Sequence, residues 1–245
     1  MELPDTAGVA SFVVPEGFAP QQTLTLGDDV AHHMKVRRLA NGAPLRLTDG
    51  AGHVASATLV SLARNAATVE VGAVQEVPPL TDVHLLAPIG DRDRMLWLAE
   101  KATELGLTSW RPVLWHRSRS VQPRGEGPGF QAKVRARMVS ALAQSHGAWL
   151  PNVYPDATLD RALAGLPDHA PRLMLDASGQ PISEAISGNP TSLVLALGPE
   201  GGLDEEERTK LTAKGFSAVS LAPTILRFET AGLAALAIAR SFTHH

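Results

Sequence analysis

Across residues 1–76, short runs of alternating apolar and polar positions (11–14, 23–26, 45–48, 53–62 and 67–74) are separated by glycine-bearing turns. Alternation with a period of two predicts half-buried strands. One helix-like stretch, 28–39, interrupts them and opens on Gly27-Asp28-Asp29 as a capping signal. Together these predict a small β-barrel. Pro78-Pro79 then forms a stiff link, and from Thr81 the pattern changes. Strand-like runs at 83–89, 109–115, 172–175, 192–197 and 218–222 alternate with helix-like runs at 92–105, 130–145, 204–215 and 229–242. Such alternation argues for a parallel α/β sheet. The chain therefore divides into a barrel over 1–76 and an α/β domain over 80–245. Pattern alone predicts an open, unknotted sheet of the Rossmann kind, because true knots are rare.

Two loops of the α/β half stand out. Leu197-Gly198-Pro199-Glu200-Gly201-Gly202-Leu203-Asp204 and Leu226-Arg227-Phe228-Glu229-Thr230-Ala231 each follow a strand-like run and precede a helix-like one. Loops at the carboxyl ends of parallel strands make a ligand crevice. The glycines allow close backbone approach, and Pro199 stiffens the turn. Phosphate is the usual guest of such a loop. Here Asp204, Glu205, Glu206 and Glu207 open the next helix, where they suit the helix dipole but repel a polyphosphate. The Lys-Ser/Thr of a phosphate-binding loop and the G-x-G-x-x-G opening are both missing. A neutral or cationic small molecule is the expectation; the plainer alternative is a tight turn with an acidic N-cap and no ligand.

Composition narrows the class. At 245 residues with 44% hydrophobic content, the chain can bury a core. Zero cysteines exclude disulfides and thiolate chemistry and suit the cytoplasm. No run approaches the roughly 18 apolar residues of a membrane span, and Met1-Glu2-Leu3-Pro4-Asp5 lacks the regions of a signal peptide. Nine histidines show no metal-ligand spacing, so no metal is expected. Net charge is −3, yet cations cluster: Lys35, Arg37 and Arg38; then Arg111, Arg117, Arg119 and Arg124; then Lys133, Arg135 and Arg137. Singly, each reads as solvated surface. Jointly they suggest a basic face for nucleic-acid phosphates.

Gly198-Pro199-Glu200-Gly201-Gly202 and Ile225-Leu226-Arg227-Phe228-Glu229-Thr230-Ala231 resemble the C-terminal signatures of the RsmE-type ribosomal RNA uridine-N3 methyltransferases, of the SPOUT superfamily. Glu100-Lys101-Ala102-Thr103-Glu104-Leu105-Gly106, Pro112 and Arg119-Ser120 are similar to the family's first methyltransferase block, and Gln144-Ser145 with Pro151 to its second. His33-Met34 through Arg37-Arg38, Gly42 and Asp49-Gly50 resemble its N-terminal domain. The chain departs from the family's habit at Val134, Ala143, the Arg-free 146–149, Ser118 and Phe228.

The resemblance implies a PUA-like RNA-binding barrel followed by a SPOUT domain with a C-terminal trefoil knot. It implies S-adenosylmethionine held by Leu175, Gly198, Pro199, Glu200, Gly201, Gly202, Leu221, Ile225, Leu226, Thr230 and Ala231, within a homodimer acting on 16S ribosomal RNA of the small subunit. Lys35, Arg37, Arg38, Arg117 and Arg119 become the RNA contacts. Uridine N3 is a poor nucleophile until its proton leaves, and the resulting anion spreads onto the flanking carbonyls, where a fixed cation would stabilise it. Arg227 is the candidate cation, or else a structural ion-pair partner of Glu229 or Glu200. Glu229 or Glu200 is the candidate proton acceptor, Glu200 being alternatively a brace for its own loop. Arg119 is a second candidate for base or phosphate contact. Two rivals remain: a SPOUT ribose 2′-O-methyltransferase, and a noncatalytic RNA-binding ribosome-assembly factor.

Overall fold

The computed structural model describes residues 8–120, 125–186 and 188–243, the side chains of Arg119 and Ser120 excepted. Arg124 and His244-His245 lie outside the described residues. The chain forms two compact units, one of residues up to Pro79 together with Leu142–Leu150, the other of Leu80–Ala141 and the remainder from Pro151.

In the first unit, β1 (Ala10–Val13), β2 (Thr23–Leu26), β3 (Pro44–Thr48), β4 (His53–Leu62) and β5 (Ala67–Glu76) form one sheet in the order β1-β3-β4-β5-β2. Only the β1–β3 pair is parallel. Alternate residues of β4 and β5 point inward, and Leu47, Leu59, Ala67 and Val69 are fully buried beside Ala31 and Met34 of α1 (Asp28–Val36). Gly27 caps α1 without a side-chain bond, so only the acids of its first turn favour its start. The helix stops short of the expected residue 39 because Arg38 turns left-handed, φ 55°. Leu39 N–H then bonds the Met34 carbonyl (3.0 Å) and Arg38 N–H that of Lys35 (2.8 Å), the Schellman pattern usually closed by glycine.

Sequence order puts Leu142–Leu150 with the α/β half, yet its bonds run to the barrel. Leu150 N–H donates to Gly50 O (2.8 Å), Gly52 N–H to Ala148 O (3.0 Å), and the Trp149 indole to Val77 O (3.0 Å). Arg46, 5% exposed, donates to Ser11 Oγ (3.3 Å) and Gly147 O (3.2 Å).

The second unit runs β6 (Asp82–Pro88), α2 (Arg92–Glu104), β7 (Ser109–Val113), a 3-10 turn (His116–Ser120), α3 (Pro128–Gln144), β8 (Asn152–Val153), α4 (Leu159–Leu163), β9 (Arg172–Pro181), α5 (Ile182–Ala185), β10 (Ser192–Ala196), α6 (Glu205–Ala213), β11 (Phe216–Ser220) and α7 (Phe228–Thr243). Its six-stranded sheet is parallel throughout, in the order β11-β9-β10-β6-β7-β8. The inner strands β6 and β10 are near-continuous apolar runs buried on both faces, as parallel sheets require. From β10 the chain forms α6, crosses to the outer edge beyond β9 for β11, and returns through α7 to pack on α2 and β6.

Buried arginines close helix ends here. Arg111, a surface cation by its sequence context, is 4% exposed. It donates to Ala162 O (3.1 Å) and Ala164 O (2.9 Å) at the C-terminal end of α4 and stacks on Tyr154 at 3.9 Å. Arg240 of α7 donates to Leu105 O (2.8 Å) and Thr81 O (2.6 Å) and to Gly106 O at the end of α2. Positive charge near helical carbonyls is favourable, so both guanidiniums serve the fold.

Candidate active site

An excursion within β9 and the loops after β10 and β11 build one concavity. Met174 of β9 pairs with Ala218 of β11, but the next pair is Gln180 with Val219, so residues 175–179 leave the ladder. Asp176 Oδ1 sustains the excursion by accepting from Ser178 N–H (2.9 Å) and Oγ (2.7 Å). The chain rejoins the sheet at Gly179, where a Cβ would lie 2.4 Å from the backbone of Ala218 and Val219. Only glycine permits that approach.

The second wall is the loop after β10. Gly202 N–H bonds Pro199 O (2.8 Å) with Gly202 at φ +70°, and the loop ends in a capping box. Asp204 Oδ1 accepts from Glu207 N–H (2.8 Å), and Glu207 Oε2 accepts from Asp204 N–H (2.9 Å). The third wall, 219–226, leads into α7, whose Phe228 is buried and whose Ala231 faces the same space.

The resulting cavity, about 360 Å³, is lined by Leu175, Gly198, Pro199, Glu200, Gly201, Gly202, Leu221, Ile225, Leu226 and Ala231 of the anticipated set, with Asp176, Arg208 and Phe228 added. Thr230 is not part of the lining, nor are Arg227 and Glu229. Arg208 and Asp176 form an ion pair inside it.

Arg227 forms no ion pair with Glu229 or Glu200. It is exposed, and its side chain has no hydrogen-bond or ion-pair partner among the described residues. The partner of both acids is Arg94 of α2, which sequence reasoning missed: its Nη1 bonds Glu200 Oε1 and its Nε lies 3.7 Å from Glu229 Oε1. Glu200 is thus braced from α2. Glu229 Oε2 is buried without a hydrogen-bond partner among the described residues. No local signal marks Arg94, since its partners lie far along the chain.

The 3-10 turn after β7 grips the glycine loop from the other side. Arg117 donates to Gly201 O (2.6 Å), His116 N–H to Glu207 Oε1 (2.7 Å), and His116 Nδ1 meets Asp204 Oδ2 at 2.5 Å. Hydrogen bonding to Asp204, then the charges of that residue and of Glu207, raise the His116 pKa above its usual range. Asp204 is lowered, first by the Glu207 backbone N–H and then by the imidazole. His116, Asp204 and Glu207 bring potential metal-ligating atoms within 4.8 Å of one another, a grouping invisible in sequence spacing. Their oxygens already serve the capping box and the His116 contacts.

The side chain of Arg119 lies outside the described ones. In the first unit, Lys35, Arg37 and Arg38 are exposed at the C-terminal end of α1, with Lys35 Nζ donating to Arg64 O (2.5 Å).

Comparison with known proteins agrees with this geometry. The family described as an RNA methyltransferase domain matches residues 76–240, and that described as an RNA methyltransferase PUA domain matches residues 26–72. A protein of Synechocystis sp. named ribosomal RNA small subunit methyltransferase E is 32% identical over 89% of this chain and 74% of its own length. Its namesake in Mycobacterium tuberculosis is 31% identical over 96% of this chain and 87% of its own length. The crystal structure of ribosomal RNA small subunit methyltransferase E from Neisseria gonorrhoeae, bound to S-adenosyl methionine, superposes with a TM-score of 0.86 at 30% identity, covering 95% of this chain and 97% of that one.

Proposed function

The chain belongs to the RsmE-type family of ribosomal RNA methyltransferases, in the SPOUT superfamily, and from that membership we propose that it methylates N3 of a uridine in 16S ribosomal RNA, using S-adenosylmethionine. The observation that carries the reading is the three-walled cavity built by the excursion within β9 and the loops after β10 and β11. Leu197, Val219, Leu226 and Phe228 offer an apolar wall to an adenosyl group, while the loop backbones offer hydrogen bonds. Glu200 at the rim suits a cationic ligand, and the N-terminus of α6 is already taken by its own capping box, which disfavours a phosphate.

S-adenosylmethionine supplies an electrophilic methyl group on a sulfonium. The chain's share is to hold that donor with the loops at 175–177, 198–202 and 221–226, to take the N3 proton, and to stabilise the charge left on the uracil oxygens. Arg227, whose guanidinium beside the third wall has no partner among the described residues, is suited to the stabilising role. Glu229, through its unpartnered Oε2, is suited to accept the proton. Lys35, Arg37, Arg38, Arg117 and Arg119 are assigned to RNA contact. We read the return of α7 past β9 and β10 as the trefoil knot, and the working form as a cytoplasmic homodimer. No helix among the described residues is long and apolar enough to cross a membrane.

A methyl on N3 removes the hydrogen-bond donor of the pairing edge, so reverse transcriptase should stop at the modified nucleotide. Small subunits from a strain lacking the enzyme, incubated with protein and labelled donor, should acquire that stop. An alkali-resistant linkage without the stop would instead identify ribose 2′-O-methylation, and no incorporation with intact RNA binding would identify an assembly factor.

A further inference from the structure

Arg94 stands on a rigid post. Met95, Leu98, Ala99 and Ala102 bury one face of α2 completely, and Asp91 caps the helix by accepting the N–H of Arg94 itself (3.1 Å). From there a single guanidinium reaches Glu200, between Pro199 and Gly201 of the second wall, and approaches Glu229, next to Phe228 where the third wall enters α7. Among the described residues no other acidic side chain pairs with Arg94, and the glycine-rich wall carries no regular structure until α6. We propose that Arg94 is a positioning residue, which locks both lips of the cavity to α2 before a ligand arrives.

The physical reason lies in conformational entropy. A loop that freezes only on binding gives up its backbone freedom at the expense of affinity, whereas one already fixed does not. The planar fork of arginine spans two carboxylates in a way a lysine ammonium does not. Without it, Glu200 and Glu229 become neighbouring like charges, and the glycine loop loses its tie to α2 while keeping the one to the 3-10 turn.

The inference rests on the donor reading for its ligand but not for its mechanics, so the test has two arms. In the ligand-free protein, Arg94→Ala should raise amide hydrogen exchange over 198–202 and the first turn of α7 by about tenfold or more, with the rest of the sheet unchanged. By calorimetry, the same variant should bind S-adenosylhomocysteine about tenfold more weakly. Its KM for the methyl donor should rise in step, while kcat at saturation stays within about threefold. Arg94→Lys should fall between wild type and Arg94→Ala. Glu200→Gln, a milder change, should speed exchange in the loop alone and add little on top of Arg94→Ala, because the two act through one contact. Unchanged exchange in both Arg94→Ala and Glu200→Gln would overturn the proposal, whatever happens to melting temperature. Wild-type protein that fails to bind S-adenosylhomocysteine would overturn the donor reading alone, leaving the exchange arm to decide the clamp.

Discussion

Arg227 follows the third wall with an exposed guanidinium that meets no acid among the described residues, while Arg94 engages the two carboxylates that the sequence offered it as partners. A cation kept unpaired beside a cavity costs little in water and is available to a substrate. Arg227→Ala should therefore leave S-adenosylhomocysteine affinity within about twofold and slow methyl transfer by about a hundredfold, the scale of losing one preorganised electrostatic stabiliser. Single-turnover kinetics with small subunits checks this; full turnover with a lowered melting temperature would make Arg227 structural. At this scale the sequence was legible where chemistry is contiguous. Ten anticipated residues line the cavity because two short loops hold most of them. It misled where burial decides: Arg111 looked like surface charge, and only the fold shows it engaged by carbonyls at the end of α4.

Elements were legible in proportion to their length. Most long strands and helices fall within a few residues of the periods that announce them, but β9 continues to Pro181 where only 172–175 was expected, and β8, α4 and α5 are too short to show a period. The β9 excursion was not legible beyond the end of the strand-like run at 172–175, because the register jump that defines it belongs to a pairing with β11. The 3-10 turn at His116–Ser120 left no periodic trace either, yet it fastens the glycine loop. Its fastening is pH-dependent. The raised His116 pKa contributes stability below the free imidazole value, and that contribution disappears as pH climbs through the raised value. The lowered Asp204 pKa contributes above the ordinary carboxylate range and is lost as pH falls through the lowered value. Attachment is strongest between these limits. Between about pH 6 and about pH 9, wild-type protein should lose more melting temperature than His116→Gln, whose amide does not titrate. Parallel losses in the two proteins would place the pH sensitivity elsewhere.

For the whole molecule, a net charge of −3 leaves little general attraction for RNA, so local cations must supply it. The Schellman turn at Arg38 fixes Arg37 and Arg38 beside Lys35 at the exposed end of α1. Replacing all three with alanine should weaken RNA binding and make its salt dependence shallower, by about one unit of slope for each phosphate no longer neutralised. Filter binding across a salt series measures it, and an unchanged slope would return these charges to ordinary surface. The division into a barrel and an α/β half was legible from the change of period at Thr81. The strand order was not, since β11-β9-β10 is decided by which distant strands pair. Nor was the allegiance of Leu142–Leu150, which follows α3 in sequence and bonds to the barrel. That allegiance makes the barrel a module with three covalent seams, at 79/80, 141/142 and 150/151, where a tandem arrangement has one. A barrel transplanted between relatives as residues 1–79 would arrive with Gly52 stripped of its indole cover, Arg46 facing the vacated place of the Gly147 carbonyl, and Gly50 O without its donor. Recombination that respects the fold has to carry Leu142–Leu150 along with residues 1–79.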